Sequence, residues 1–405
     1  MRVLMLAPGF PAEMPFFARG LAHVGAEVVG VSEQPAAALP EMARAALVDH
    51  IQVASLFDEQ GVVETVRRHP AAAGVDRVEC LWEPLMLLAA RLREALGTGG
   101  LGVEASVAFR DKERMKQVLD AAGVRTPRHS REHTAPGCLE AAERIGYPIV
   151  VKPIAGAGSA DTYRIESEAE LEAVLPALRH VPVVSVEEFI DGEEYTFDTI
   201  CAGGDILYYN LAWYRPRPLV GRSVEWISPQ TVTLRDVDAP ELAPGRELGV
   251  TVLEALGYRT GFTHMEWFLT ADGEAVFGEI GARPPGARSV ELMNYGCDID
   301  VFDGWAEAVC HGRMSQEIER RYNVAIVFKR ARGRGRITRI EGLESVLGRF
   351  GQHIVSVDLL PLGTPRRNWR QTLLSDGWLI VRHPDLARTL EMADRIGTDL
   401  QLYAE

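Results

Sequence analysis

The chain has 405 residues and a formal net charge of −14, from 43 Lys+Arg against 57 Asp+Glu. At about 150 residues per domain, this length predicts two or three domains. A hydrophobic fraction of 47% and a charged fraction of 25% are ordinary for a globular protein and exclude a disordered or fibrous chain. The negative charge gives no general attraction to phosphate, so we expect no nucleic-acid partner.

Neither a membrane span nor a secreted disulfide scaffold is indicated. No apolar run approaches the roughly 18–20 residues that a spanning helix needs, and the apolar start is too short for a signal peptide. No C-x-x-C pair occurs, and the cysteines are widely spaced: Cys80, Cys138, Cys201, Cys297 and Cys310. The sequence therefore predicts a cytoplasmic protein without a disulfide framework or a zinc site.

Strands and helices alternate through the first hundred residues. The predicted strands are Arg2–Leu6, Glu27–Val31, Leu47–Val53 and Val75–Trp82, and the predicted helices are Glu13–His23, Asp58–Arg68 and Pro84–Leu96. This alternation is typical of a parallel sheet built from βαβ units. The first turn reads A-P-G-F-P and lacks the G-x-G-x-x-G fingerprint, so NAD binding is not expected.

Hairpins and short helices follow. The predicted helices are Arg110–Ala122, Pro136–Ile145, one opened by a capping box at Ser167–Glu170, and Leu386–Ile396; the predicted strands are Pro148–Pro153, Val183–Ile190, Tyr195–Cys201, Ile206–Trp213, Met265–Leu269 and Ala275–Ile280. The sequence thus predicts an α/β region followed by α+β structure.

Lysine is scarce, which makes each lysine informative. Only Lys112, Lys116, Lys152 and Lys329 are lysines, and the other 39 of the 43 basic residues are arginine. Lys152 ends an apolar strand and precedes a small-residue loop that contains Gly156, Gly158 and Ser159. An ammonium followed by such a loop suits a phosphate site, although an ordinary glycine turn is the favoured alternative for this motif alone.

Two further segments carry carboxylates. Glu187, Glu188 and Glu194 flank a turn, where they could accept from an adenine amino group and ribose hydroxyls or form a solvated acidic turn. Glu266 and Glu279 lie within apolar strands of a predicted hairpin, where paired carboxylates are costly unless a cation such as Mg²⁺ compensates them.

These three segments, in this order, resemble the ATP-grasp superfamily, and the likeness covers most of the chain. The resemblance implies that Lys112 and Lys152 contact ATP phosphates and that the loop with Gly156, Gly158 and Ser159 closes over them. It assigns the adenine amino group to Glu187, further adenine contacts to the backbone of Glu188 and Ile190, and the ribose to Glu194. Glu266 and Glu279 match the metal carboxylates, with Mg²⁺ expected and Mn²⁺ as an alternative, and Arg283 matches an arginine of the reacting centre.

One position departs from the pattern. Relatives commonly carry asparagine as a further metal ligand where this chain has Gly281. Glycine has no side-chain oxygen, so the sequence leaves the metal count open.

By this resemblance the chain divides into an N-terminal domain (1–105), a nucleotide-binding region (106–312) with a mobile lid at about 111–187, and a C-terminal α+β domain (313–405). The implied activity is an ATP-dependent, ADP-forming carboxylate–amine ligase of the dipeptide-forming kind, acting on small molecules through an acyl phosphate. Lys152 and Arg283 are the expected catalytic residues, and a homodimer is an expected assembly. The alternatives are a biotin-carboxylase-like carboxylating enzyme and a non-catalytic ATP-binding module.

Two other sequence patterns are weak indications of function. His129, Glu132 and His133 spell the H-x-x-E-H pattern of a metalloprotease, but Pro127 and Pro136 leave too little room for the helix that it requires. The basic run Lys329–Arg336 alternates like an exposed strand and turn, for which a solvated edge is the favoured interpretation.

Overall fold

A computed structural model describes residues 1–154, 161–372 and 374–405. The N-terminal part holds a four-stranded parallel sheet in the order β3-β2-β1-β4. Its elements are β1 (Arg2–Leu6), α1 (Met14–His23), β2 (Glu27–Ser32), α2 (Glu41–Ala46), β3 (Leu47–Gln52), α3 (Glu59–Arg68), β4 (Arg77–Glu79), α4 (Met86–Leu96) and α5 (Val103–Val107). The parallel sheet predicted from the strand–helix alternation is confirmed.

A smaller antiparallel sheet follows, in the order β5-β8-β6-β7. Its elements are α6 (Lys112–Ala121), β5 (His129–Glu132), α7 (Ala135–Ile145), β6 (Ile149–Pro153), β7 (Tyr163–Ile165), α8 (Glu168–Val174) and β8 (Val184–Glu188). Strand β5 covers most of the H-x-x-E-H pattern, so the helix that a metalloprotease site needs is absent there.

The centre of the molecule is an eight-stranded antiparallel sheet in the order β13-β12-β9-β10-β11-β14-β18-β17, and three short strands pair beside it in the order β15-β19-β16. These elements are β9 (Glu193–Ala202), β10 (Asp205–Arg215), α9 (Pro218–Ser223), β11 (Gln230–Thr233), α10 (Ala243–Ala255), β12 (Gly261–Leu269), β13 (Ala275–Gly281), α11 (Ser289–Cys297), α12 (Val301–His311), β14 (Asn323–Phe328), β15 (Arg332–Gly333), β16 (Ile337–Glu341), α13 (Leu343–Phe350), β17 (Ile354–Leu359), β18 (Gly377–His383), α14 (Leu386–Asp399) and β19 (Gln401–Ala404). Three strands of the large sheet, β14, β17 and β18, come after residue 312, where the sequence analysis placed a domain boundary. The division into three domains stays a prediction.

In the part of the chain that the structure describes, six short 3-10 helices connect these elements: Ala36–Ala38, Pro70–Ala72, Glu83–Leu85, Leu175–Leu178, Pro240–Leu242 and Gly351–His353. Among the described residues, no helix is both long and apolar enough to cross a lipid bilayer.

The two faces of the large sheet differ because successive strand residues point to opposite sides. On one face, Trp267 and Phe197 are buried against α10. Gly245 and Gly249 of α10 permit this approach, since an added Cβ would lie 2.1 Å from Trp267 and 2.3 Å from Phe197. The apolar packing of this face leaves the polar side chains of β9, β12 and β13 on the other face.

The N-terminal part packs against the large sheet through α1 and α12. The Phe17 ring of α1 lies 4.8 Å from the Phe302 ring and 5.2 Å from the Trp305 indole, centroid to centroid, both edge-on. Such aromatic pairs in a buried cluster contribute about 0.5–1.5 kcal/mol each beyond their buried area. The parallel sheet is therefore held in a fixed position beside the large sheet.

Candidate active site

Strands β9, β12 and β13 carry four carboxylates on the polar face of the large sheet, and we call this part of the sheet the carboxylate face: Glu194, Asp198, Glu266 and Glu279. Glu266 of β12 lies directly opposite Glu279 of β13 and Thr196 of β9 in the strand register. This alignment follows from two antiparallel pairings, which bring residues far apart in sequence into one row across three strands.

Three lysines bind carboxylates at this face or next to it, on Glu279 of the large sheet and on Glu187 of β8 in the smaller sheet. Lys116 Nζ lies 2.9 Å from Glu187 Oε1, and Lys152 Nζ lies 2.9 Å from Glu187 Oε2. Lys112 Nζ lies 3.2 Å from Glu279 Oε2. Of the chain's four lysines, three thus meet carboxylates at one place.

Lys116 was not among the site residues predicted from the sequence. It lies four residues after Lys112 on α6, and residues four apart share one face of a helix. That spacing was the available signal, but its partner Glu187 lies 71 residues away on β8.

Glu187 is buried and has three polar partners. Besides the two lysines it accepts a hydrogen bond of 2.7 Å from Ser185 Oγ. Burial opposes ionisation, but the ammonium groups of Lys116 and Lys152 outweigh it and hold the pKa of Glu187 far below its usual range. Burial of Lys152 is likewise outweighed by Glu187 and Glu279, which raise its pKa. Glu187 and Lys152 are therefore charged at neutral pH.

Glu279 has a similar environment. Burial works against its charge, yet Lys112 and Lys152 lower the pKa of Glu279 to about 2. Its strand partner Glu266 accepts a hydrogen bond of 3.1 Å from Tyr214 Oη. The two predicted metal carboxylates, Glu266 and Glu279, therefore lie side by side on adjacent strands, and the ionised Glu279 contacts the Lys112 ammonium.

A buried histidine connects Glu266 to the next row of the sheet. His264 Nδ1 lies 2.6 Å from Asp198 Oδ1, and His264 Nε2 lies 3.5 Å from Glu266 Oε1. Burial disfavours the charged imidazole, but Asp198 outweighs it and raises the pKa of His264 to about 9. Sequence reasoning missed His264 as a site residue, although it precedes Glu266 by two and so shares its face.

Arg217 contacts two of the residues predicted to bind the nucleoside. Its Nη1 donates to the Ile190 carbonyl at 3.0 Å, and its Nε lies 3.5 Å from Glu194 Oε2. The guanidinium also lies over the rings of Phe189 and Phe268, at 4.7 and 4.9 Å from their centroids. Burial, and then the charge of Glu266, raise the pKa of Glu194 to about 8 despite Arg217.

Glu188, the other residue predicted to contact adenine through its backbone, has two arginine partners. Its side chain accepts from Arg125 at 3.3 Å, and its backbone N–H donates to the Arg128 carbonyl at 2.8 Å. The predicted Gly156, Gly158 and Ser159 lie outside the described residues.

Arg283 is anchored by the N-terminal part of the chain. Its Nε donates to Glu83 Oε2 at 2.9 Å, while Arg110 Nη1 donates to Glu83 Oε1 at 2.8 Å. Gly281 leaves space for the Arg283 side chain, because a Cβ added at Gly281 would lie 3.2 Å from Arg283 Cγ. No local pattern marked Glu83, which lies 200 residues before Arg283.

One sequence interpretation is wrong for part of its segment and confirmed for the rest. The basic run was expected to form a solvated edge, but Lys329 is 2% exposed and Arg330 is 8% exposed. Lys329 Nζ donates to the carbonyls of Ile396 and Gly397 at the end of α14, at 3.3 and 2.7 Å. Only the later part of the run, Arg332–Arg336, is exposed. The run begins at the end of β14, and the packing of α14 on that strand buries its first residues.

Comparisons with known proteins agree with this architecture. Residues 22–98 match the ATP-grasp N-terminal domain, and residues 109–213 match the ATP-grasp domain. The L-amino acid ligase of Bacillus licheniformis has a similar structure, with a TM-score of 0.80 and 22% identity over 100% of this chain and 98% of that chain. The predicted ATP-grasp fold is confirmed.

Two curated relatives are ligases. An L-arginine-specific L-amino acid ligase of Bacillus subtilis is 26% identical over 263 residues, which are 63% of this chain and 63% of the relative. A D-alanine–D-alanine ligase of Pseudomonas fluorescens (strain Pf0-1) is 30% identical over 188 residues, which are 46% of this chain and 57% of the relative. The chain thus spans about three fifths of the length of the curated relatives it matches. These matches confirm the resemblance to the carboxylate–amine ligase branch.

Proposed function

We propose that this chain, a member of the ATP-grasp superfamily, binds ATP at the carboxylate face and uses it to join a small-molecule carboxylate to an amine, releasing ADP and phosphate. The observation that carries the proposal is the convergence of Lys112, Lys116 and Lys152 on Glu187 and Glu279. The relatives' names support amino acids as the substrates.

Lys112 and Lys152 are proposed to hold the ATP phosphates. Both ammonium groups contact carboxylates, and phosphate oxygens accept the same charge-assisted hydrogen bonds. Binding of the triphosphate would therefore exchange one anionic partner for another, with Gly156, Gly158 and Ser159 proposed to cover it.

The nucleoside is proposed to lie beside Ile190. The backbone of Glu188 and Ile190 would contact adenine, and Glu194 would contact the ribose. Glu187 is proposed for the adenine amino group, and a carboxylate has enough lone pairs to add this contact to its existing ones. Arg217 holds both the Ile190 carbonyl and Glu194, so nucleotide entry would require it to share or release them.

Glu266 and Glu279 are proposed to hold a divalent cation. Their carboxylates are hard oxygen donors on adjacent strands, and they retain side-chain exposures of 23% and 28%, which fits Mg²⁺ or Mn²⁺ shared with phosphate oxygens. Such a cation, when bound, would neutralise charge on the transferring phosphoryl group. Gly281 supplies no ligand, so nucleotide or water oxygens would complete the coordination.

The reaction proposed for this site has two steps. A substrate carboxylate oxygen attacks the γ-phosphorus, the bond to the β–γ bridging oxygen breaks, and an acyl phosphate and ADP form. The amine then attacks the acyl carbon, loses a proton and expels phosphate. Positioning and charge neutralisation supply most of the acceleration in phosphoryl transfer, so no covalent residue is required. Lys152 and Arg283 would neutralise charge that develops at the phosphoryl and acyl groups.

Hydroxylamine trapping tests the proposal. The protein is incubated with Mg·ATP, hydroxylamine and pooled amino acids, with Lys152→Ala as the control. We expect hydroxamate from the wild type and none from the variant. Equal signals from both proteins would contradict the site. ADP release that depends on bicarbonate would instead support the carboxylating alternative, and ATP binding without turnover would support a binding module.

Two features stay predictions. A homodimer would appear in light scattering as twice the mass of the 405-residue chain. A cytoplasmic location would appear in cell fractionation.

A further inference from the structure

Three aromatic side chains gather at one edge of the parallel sheet. The Phe10 ring lies 5.0 Å from the Trp82 indole and the Phe57 ring lies 6.0 Å from it, both edge-on. Phe10 is 59% exposed and Phe57 is 65% exposed. We call these three side chains the aromatic cluster. Large apolar side chains grouped at a surface commonly mark a binding site.

The location of the aromatic cluster follows from the topology. Phe10, Phe57 and Trp82 follow β1, β3 and β4, so all three belong to loops at the carboxyl ends of parallel strands. In open α/β sheets, ligands bind in the crevice outside these strand ends. The parallel sheet thus presents three rings at the edge where a ligand is expected.

The loops that carry the rings are held in place. Leu56 N donates to Glu33 Oε1 at 2.8 Å, which fixes the chain next to Phe57. Gly9 packs so closely on Pro40 that an added Cβ would lie 2.9 Å from the Pro40 ring. Fixed, exposed rings lose little conformational freedom when a ligand covers them, which favours binding.

The aromatic cluster is connected to Arg283 through one residue of the chain. Trp82 is followed directly by Glu83, whose carboxylate binds Arg283 at 2.9 Å. A substrate whose reacting group is near Arg283 could therefore extend its side chain over the rings. Aromatic rings pack well against other rings and large aliphatic groups.

We infer that the aromatic cluster receives a substrate side chain, and that one substrate of this chain is an amino acid with an aromatic or large apolar side chain. The inference rests on the proposed function, because it takes the substrates to be amino acids. It adds the class of side chain, which neither the fold nor the carboxylate face specifies.

L-Phenylalanine and glycine are the probes that test this inference. Equilibrium dialysis with the full chain and a non-hydrolysable Mg·ATP analogue measures their binding without turnover. We expect L-phenylalanine to bind at least about tenfold more tightly than glycine, since burial of a large apolar side chain is favourable. Comparable binding of both probes, or no binding of L-phenylalanine, would overturn the inference.

Matched variants test whether L-phenylalanine binds at the aromatic cluster. Phe10→Ala and Phe57→Ala should each weaken L-phenylalanine binding by about fivefold or more, as truncation of a contacting ring does, while Phe57→Tyr retains it. Leu362→Ala, at a residue 63% exposed elsewhere on the surface, is the control and should bind normally. Unchanged binding in both phenylalanine variants would overturn the inference.

The outcomes are distinct from those of the proposed function. Binding of L-phenylalanine that depends on Phe10 and Phe57 supports the inference even when hydroxamate is absent, and that absence would then contradict only ligation. If Phe10→Ala or Phe57→Ala instead converts a dimer to a monomer in light scattering, the aromatic cluster is a subunit interface and the inference fails.

Discussion

The molecule buries basic side chains in two regions that differ in their partners. At the carboxylate face, Lys112 contacts Glu279, and next to this face Lys152 contacts Glu187 of β8. In the C-terminal part, Lys329 and Arg330 donate to neutral backbone carbonyls. Burial alone therefore does not distinguish a candidate site from a structural contact.

The two regions differ in whether another anion can replace the partner of the buried basic side chain. A carboxylate contact can be exchanged for a phosphate contact with little loss of charge pairing. The carbonyls bound by Lys329 lie in the last turn of α14, where helix carbonyls have few partners within the helix. The ammonium adds a charged donor to the Leu400 N–H, which binds the Ile396 carbonyl, and to Ser228 Oγ, which binds the Gly397 carbonyl. The first region is thus suited to bind and release an anion, and the second to hold a helix end.

Lys152→Ala should have the largest effect on activity. The variant removes an ammonium from the proposed phosphate site, and loss of one such electrostatic contact lowers kcat by about 10²–10³-fold. ADP release measured with Mg·ATP and a pool of amino acids checks this. Lys329→Met is the control, and a similar loss in both variants would erase the distinction between the two regions.

Glu279→Gln should also suppress ADP release. It keeps the shape of the side chain but removes the charge that Lys112 and the proposed divalent cation require. A titration of Mn²⁺ followed by electron paramagnetic resonance should show at least tenfold weaker binding, as loss of a metal-orienting group does. Wild-type affinity for Mn²⁺ would contradict the metal assignment.

Lys116→Met should destabilise the protein most. Lys116 is 0% exposed, and removing one partner of a buried ion pair costs about 3–5 kcal/mol. We expect a loss at the low end of this range, because Glu187 keeps its contact with Lys152. The free energy of unfolding in urea measures this change. A loss below about 1 kcal/mol, the value typical of exposed pairs, would show that Glu187 does not depend on Lys116.

Lys329→Met should cost less stability and leave ADP release intact. It removes the charged donor from two carbonyls at the end of α14 that keep the Leu400 N–H and Ser228 Oγ as donors, so the cost is that of a hydrogen bond, about 0.5–1.5 kcal/mol. Urea unfolding and the ADP assay are run on the same preparation. Lost activity in a stably folded Lys329→Met protein would place a functional site in the C-terminal region.

The smallest expected effect is the pH dependence at His129. The imidazole lies 2.9 Å from both Glu113 and Asp120, and these hydrogen bonds outweigh burial and raise the pKa of His129. A raised pKa in the folded state adds stability that is complete below the ordinary value of about 6.5 and is lost as pH rises through the folded value. The Tm difference between wild type and His129→Gln should therefore be largest below pH 6.5 and shrink above it. A difference that grows with pH would contradict this sign.

The fold was largely predictable because its signals are local. Alternating apolar runs and turns place β1 at Arg2–Leu6 as observed, and they place β9 and β10 within a few residues of their observed ends. The predicted site residues Lys112, Lys152, Glu187 and Glu279 lie together, as their order along the chain suggested.

The remaining contacts depend on the tertiary structure. Lys116 reaches Glu187 only because α6 packs beside β8, and Glu83 meets Arg283 only because the two sheets are held together. Burial of Lys329 depends on α14, which lies more than fifty residues later in the chain. Sequence patterns describe residues that are near each other in the chain, so they do not predict contacts between residues that are this far apart.

The most direct test of the central claim is an oxygen-isotope transfer. An amino acid that gives hydroxamate is labelled with ¹⁸O in its carboxylate and incubated with Mg·ATP and an amine. Activation as an acyl phosphate predicts one ¹⁸O atom in each phosphate released, with no release from Lys152→Ala. Phosphate free of ¹⁸O would contradict carboxylate activation at this site.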